Sequence, residues 1–253
     1  MGYMISDLTY RQLAPLLTGD AVVVLPIGGA AKEHGDHLPM GTDFFVTSYV
    51  AREVTRRCDV LTLATVPYAY FPAFVEWKGS VSVAHEHFTR YVRDVLESFV
   101  RFGVKKFLII DGGVSTHPPL CQMARDMDNQ LGVKVAVTDI RELARETEEA
   151  VCVQERGGHG DESETSTMLC IREDLVHMDL AVEEYQEEFP GAVVNGSRKV
   201  YVPSRMNTPH GVNGDSTLAS RDKGEKILAA MVESVCGFLE AFIPWGRRDG
   251  EGR

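Results

Sequence analysis

Ala21-Val22-Val23-Val24-Leu25-Pro26 leads, past Ile27 and the small residues Gly28, Gly29, Ala30 and Ala31, into Lys32-Glu33-His34-Gly35-Asp36-His37-Leu38-Pro39-Met40-Gly41-Thr42-Asp43. The β-branched run, bounded by Gly and Pro, predicts a buried strand. The polar stretch then falls in the loop at the strand's carboxyl end, where open α/β sheets bind their ligands. It packs two histidines and three carboxylates into twelve residues. Neutral imidazole and carboxylate suit zinc, manganese or iron, and a cation keeps crowded carboxylates ionised. A polar surface loop has the same composition without a metal. Asp43 also reads as an acid in the first turn of a helix that Thr42 caps.

Working outward, Phe45, Val46, Tyr49, Val50 and Val54 recur at helical spacing and predict a helix over 42–57. Strands are predicted at 21–26, 60–66, 106–110 and 133–137, with a short one at 200–202. Between them fall a capped short helix from Ser6 to Leu13, helices over 85–102 and 118–131, a charged helix at 140–150 and a closing helix from Asp215 to Phe242. Residues 67–82 mix aromatics with Pro and Gly without a period and predict a long ordered loop, a kind that is often functional. His85 and His87 point to different faces of their helix and read as solvated. Residues 181–198 read as a surface excursion with Glu183, Glu184, Glu187 and Glu188 in solvent, and 246–253 as a frayed tail. Strands alternating with helices predict a single-domain three-layer αβα sandwich, with a mostly parallel sheet, over residues 1–253.

Composition narrows the function classes. The net charge of -11 and the absence of a Lys/Arg block speak against a nucleic-acid surface. Five scattered cysteines form no C-x-x-C pair, as expected of reduced thiols in a cytoplasmic protein. No apolar run approaches the roughly 20 residues that cross a bilayer. The opening Met1-Gly2-Tyr3-Met4-Ile5-Ser6 fits a loose myristoylation pattern but has no polybasic partner signal.

A second polar concentration, Gly157-Gly158-His159-Gly160-Asp161-Glu162-Ser163-Glu164-Thr165-Ser166, precedes the apolar Met168-Leu169-Cys170-Ile171. If a helix begins near Asp161, then Asp161, Glu164, Thr165 and Met168 share a face that turns apolar within a turn. Half-buried carboxylates there want a cation or donors. An acidic N-terminal turn complementing the helix dipole accounts for Asp161 and Glu162, but not for Glu164 and His159 together.

These motifs resemble the creatininase (creatinine amidohydrolase-like) family. His34-Gly35-Asp36-His37-Leu38-Pro39-Met40-Gly41-Thr42-Asp43 reproduces the family's Glu-Gln-His-Gly-x-His-Leu-Pro-x-x-Thr-Asp from its first histidine. His159 to Ser166 is similar to His-Ala-Gly-x-x-Glu-Thr-Ser, and Gly211-Val212-Asn213-Gly214-Asp215 with Lys223-Gly224 to a C-terminal Gly-Asp element. The resemblance implies an αβα fold, a homo-oligomer that is often hexameric, and a divalent-metal centre (Zn, Mn or Fe; one or two ions) hydrolysing a C–N bond in a cyclic amide or similar small molecule. Carried over by position, His34 and Asp43 are metal ligands, His159 carries a proton at the reacting group, and Glu164 supports the metal. Two departures stand out. Lys32 takes the place of the family's first Glu, with Glu33 displaced by one, and Asp111-Gly112-Gly113-Val114-Ser115-Thr116 replaces Asn-Gly-His-x-x-Asn. They point to a rearranged site completed by Glu33, His159 and one of Asp161 or Glu162, and speak against creatinine itself as substrate.

The expected activity is hydrolysis of a cyclic amide or imide by a metal-activated water, with Glu33, His159 and Glu164 as catalytic residues and Glu33, His34, Asp43, His159 and Glu164 around the metal. A lyase or isomerase acting on a sugar-like or keto substrate through the same cation, and a non-catalytic binding protein on this fold, are the alternatives. A Ser/His/Asp triad is disfavoured by the absence of a G-x-S-x-G elbow.

Overall fold

A computed structural model describes residues 1–187, 189–194 and 197–246. Five strands form one parallel sheet in the order β1-β3-β2-β4-β5: β1 (Tyr3–Met4), β2 (Val22–Ile27), β3 (Leu61–Thr62), β4 (Lys106–Asp111) and β5 (Lys134–Val137). Every β2 and β4 residue is buried, as in a sheet covered on both faces. Period-two alternation divides the two strands between two cores. Val22, Val24, Leu108 and Ile110 point into one core, Val23, Leu25, Ile27, Phe107 and Ile109 into the other.

The first core is completed by α2 (Thr42–Arg57), α6 (Glu162–Arg172) and α7 (Arg221–Phe242), through Val46, Val50, Met168, Ile227 and Met231. The second is completed by α3 (His85–Val100) and α4 (His117–Leu131), through Phe88, Val92, Leu96, Leu120 and Met127. The result is the three-layer αβα sandwich that the alternation predicts. The chain leaves β2 towards one layer and β4 towards the other, so a crevice opens at their carboxyl ends. The Lys32 to Asp43 loop enters it from β2, and Asp111 closes β4 beside it.

Several local expectations need correction. Thr9, not Ser6, starts the first helix, through a capping box with Gln12 ahead of α1 (Tyr10–Leu13). Thr42 does not cap α2: Gly41 is the N-cap residue, and the Thr42 hydroxyl donates to the Pro39 carbonyl at 2.8 Å. The 60–66 run forms ladder hydrogen bonds at Leu61–Thr62 and an isolated bridge at Val66, the chain bending away in between. Helix α5 (Arg145–Val151) starts later than its charged stretch. Residues 200–202 are not a strand; short antiparallel pairs instead join β6 (Glu183–Glu184) to β9 (Gly214–Asp215) and β7 (Val193–Val194) to β8 (Ser197–Arg198). Asp215 caps a single 3-10 turn, Ser216–Leu218, and α7 has its own cap at Ser220. Glu184 is held by the 210–212 loop rather than solvated, accepting from the backbone of His210 at 3.0 Å. Glu188 and the tail from 247 lie outside the described residues.

Candidate metal centre

Strand β2 and the first turn of α2 hold one half of the site, and the turn before α6 holds the other. His34 is fully buried. Its Nδ1 lies 2.9 Å from the Lys32 carbonyl, and its Nε2 lies 2.8 Å from Asp43 Oδ1. A carbonyl can only accept, so Nδ1 carries the hydrogen, and in a neutral ring Nε2 is then a bare lone pair aimed at a carboxylate. Two acceptors at that distance require a positive charge between them or beside them, either a proton on Nε2 or a metal ion.

His159 repeats the pattern from the other side. Its Nε2 meets Glu33 Oε2 at 3.2 Å, leaving Nδ1 facing Glu164 Oε2 at 3.9 Å. Glu33 also accepts from the backbone N–H of Gly35, and its own N–H is held by Ser80 Oγ at 3.0 Å. This is the arrangement in which an outer carboxylate fixes the tautomer of a metal-binding imidazole. The two imidazoles stack with centroids 4.8 Å apart, and Phe74 covers His159 at 4.4 Å. Burial, outweighing the Glu33 hydrogen bond, pulls His159 down to about 4, so the ring is neutral and able to ligate at pH 7.

Glu164 accepts from the Gly160 N–H at 2.7 Å. Its side chain is 32% exposed, but it lines an interior cavity, and desolvation there pushes its carboxyl up to about 7. Asp43 behaves oppositely. Burial would raise it, yet Lys32 and His34 outweigh that and hold it well below the usual carboxylate range. Ligand atoms of His34, His159 and Glu164 all lie within 4.8 Å of one another. Two imidazole nitrogens that face carboxylate oxygens, together with the Glu164 carboxylate, are a donor set that zinc or manganese fits.

The other predicted residues divide. Glu33 stands one hydrogen bond outside this trio, on the far nitrogen of His159, whereas Asp43 Oδ1 lies 2.8 Å from the bare Nε2 of His34 itself and so faces the same point as the trio. Asp161 and Glu162 do not enter it. Asp161 caps α6, accepting from Glu164 N at 3.0 Å, Gly158 N at 2.9 Å and Gln154 Nε2 at 3.0 Å. Glu162, wholly buried, accepts from Val153 N and Gln154 N, both at 2.8 Å, and from Lys223 Nζ. His37 binds Thr165 Oγ1 at 2.8 Å and so pins the first motif to the second, over 128 residues of sequence. His85 and His87 are exposed and distant in role, as their spacing implies.

A family model described as creatinine amidohydrolase matches residues 6–239. The chain belongs to the creatininase family. It is 25% identical to the creatinine amidohydrolase of Pseudomonas putida over 95% of this chain and 97% of that one. It is 23% identical to the 3-dehydro-scyllo-inosose hydrolase of Thermotoga maritima, over 96% and 83%. A creatininase variant structure of the Zn–Zn type superposes with a TM-score of 0.81 at 23% identity, covering 96% of this chain and 99% of that one.

Against the creatininase motifs, the structure shows what replaces the two departures. Lys32 points its ammonium at Asp43 Oδ2, 2.7 Å away, between the rings of Phe71 at 5.1 Å and Phe74 at 4.9 Å. A side chain at Gly113 has no room: its Cβ would lie 2.5 Å from Thr116 Oγ1 and 2.9 Å from Phe71 Cε1. Gly211, at φ 72°, passes so close to Glu33 that a Cβ would lie 2.0 Å from Oε1. Phe71, Phe74 and Ser80 all come from the aromatic 67–82 loop, whose aperiodic run of rings was the signal available for them. Asp43 and Glu164, with Thr47, Gln154 and Arg156, line a cavity of about 500 Å³ that reaches one side of the centre. No helix among the described residues is long and apolar enough to cross a membrane.

Proposed function

We propose that this creatininase-family chain is a metal-dependent hydrolase that cleaves a C–N bond in a small cyclic amide or imide, with His34, His159 and Glu164 holding a divalent zinc, manganese or iron ion. The observation that carries the reading is the trio of ligand atoms on His34, His159 and Glu164, all within 4.8 Å of one another, with both imidazoles facing carboxylate oxygens. A divalent ion bound there supplies Lewis acidity, lowering the pKa of a coordinated water from about 15.7 to about 7 and polarising a carbonyl.

The chain's own residues do the rest. Glu33 fixes the His159 tautomer so that Nδ1 faces the ion, which makes His159 a ligand rather than the proton carrier that position alone suggests. Glu164, anchored at Oε2 by Gly160 N–H, keeps Oε1 for the attacking water's proton and delivers it to the departing nitrogen. The Lys32 carbonyl, accepting from Nδ1, orients His34, and Asp43 Oδ1 stands beside its Nε2, where it would share the ion. The cavity volume suits a ring of few atoms rather than a folded protein.

The named relatives are an amidohydrolase and a hydrolase, so attack by water is what they share and a lyase or isomerase chemistry is the lesser reading. The inosose hydrolase does favour one second reading, hydrolysis of a sugar-like ring compound at the same centre. The test is a product analysis of metal-loaded and chelator-treated protein on lactams, imides and dehydro-inososes. Metal-dependent amide opening is expected. Turnover confined to the inososes, or surviving complete metal removal, overturns the proposal.

A further inference from the structure

We infer that Lys32 is a resident cation standing where a second metal ion would otherwise sit, and that the centre therefore holds a single divalent ion; this rests on the metal reading above. Lys32 is buried, its side chain 7% exposed, and its ammonium meets one carboxylate oxygen, Asp43 Oδ2, at 2.7 Å. The remaining approaches are aromatic: Phe71 and Phe74 present ring faces at 5.1 and 4.9 Å. Ring faces attract an ammonium but offer a metal ion no lone pair. Position 113 adds no ligand here either, because Phe71 and Thr116 fill the space that a side chain at Gly113 would need. The loop after β2 is closed around the lysine by its own backbone, Lys32 N donating to the Met40 carbonyl at 3.0 Å.

Charge balance gives the same count. Glu33, Asp43 and Glu164 surround the centre as three carboxylates, and Lys32 offsets one of them. The two negative charges left over are what one divalent ion neutralises. A second ion would leave the buried pocket with two uncompensated positive charges, a costly arrangement away from water. Lys32 thus fixes Asp43 through Oδ2 as a cation would, keeping Oδ1 beside His34 Nε2 at 2.8 Å, where the one remaining ion would sit. Lys32 is a positioning residue by this argument, acting through Asp43.

The test is a metal count on the full chain. Purified wild-type protein is loaded with excess Mn²⁺, desalted, and analysed for manganese per chain and by electron paramagnetic resonance; Lys32→Glu is treated identically. One manganese per chain with an isolated-ion spectrum is expected for the wild type, and a doubling to two for Lys32→Glu, whose added carboxylate replaces the ammonium. Two ions per wild-type chain, or a spin-coupled pair in its spectrum, overturns the inference whether or not the variant folds. A folded Lys32→Glu that stays at one ion, with native circular dichroism and melting, overturns it while leaving the metal centre standing. A wild type that binds no manganese, zinc or iron removes the metal centre and this inference together.

Discussion

Glu162 and Glu164 sit two residues apart at the start of one helix, and their carboxylates meet opposite surroundings. Glu162 is sealed from solvent with two backbone N–H groups and the Lys223 ammonium pointed at it. Glu164 has one backbone N–H at 2.7 Å and, across 3.9 Å, an imidazole nitrogen with no hydrogen to give. The first carboxylate is complete within the protein, whereas the second has a single backbone donor and, among the described residues, no lysine or arginine beside it. The difference teaches that an acidic cluster becomes a metal site only where its donors run out, and that donor accounting, not the number of carboxylates, separates structure from chemistry.

The comparison can be broken most directly at the incomplete half. His34→Ala and Glu164→Ala should each lose bound metal and lower turnover on the order of 10³-fold, about 4 kcal/mol of barrier, while the melting temperature of the metal-free protein stays close to wild type. Metal content unchanged in both variants would erase the distinction. At the complete half the effect should move to stability. Glu162→Ala leaves the Lys223 ammonium and two amides without their acceptor, and should cost about 3 kcal/mol in denaturant unfolding with metal stoichiometry intact. Loss of metal with stability preserved would reverse the two roles.

A smaller effect is expected from the carboxylate that serves the metal at second hand. Glu33→Gln keeps the shape of the Glu33 side chain but weakens the acceptor facing His159 Nε2, and should reduce metal affinity by about 10- to 100-fold in a chelator competition. An effect as large as that of Glu164→Ala would promote Glu33 to a direct ligand. An effect on stability alone, spread over pH, concerns Asp111, a buried carboxyl that burial pushes up to about 8, against the hydrogen bonds from Thr116 and Gly113. An unfolded aspartate ionises near pH 4, so between pH 4 and 8 the folded state holds the extra proton and stability falls as pH rises, levelling off above 8. Asp111→Asn removes that slope. Unfolding curves should show the variant gaining on wild type across this window, by up to about 5 kcal/mol at pH 8; parallel curves would place the Asp111 carboxyl at its ordinary value.

Much of the fold was legible because it rests on local periodicity. Helix α2 begins and ends where the spacing of Val46, Val50 and Val54 places it, and the strands at β2, β4 and β5 fall within a residue of their apolar runs. The failures lie where the deciding contact is remote. Strand β1 gains its partner at Leu61 from β3, and the 60–66 run is cut short by the bend that carries it to the 67–82 loop. In the site, His34, Asp43, His159 and Glu164 were legible as residue types that suit a metal. The settlement of Asp161 and Glu162 was not, because Gln154 lies outside the motifs and Lys223 belongs to a separate one, 61 residues from Glu162.

The sequence by itself determined the αβα class, the family, and the two polar loops that carry the chemistry, since each is written in short-range pattern and residue type. The tertiary structure alone decided which nitrogen of each histidine is bare, which carboxylate is already satisfied, and that Lys32 fills a place among Asp43, Phe71 and Phe74. Those outcomes depend on hydrogen bonds and ring contacts between segments far apart in the chain, and a hydrogen bond's partner is set by position in space, not by the spacing of letters.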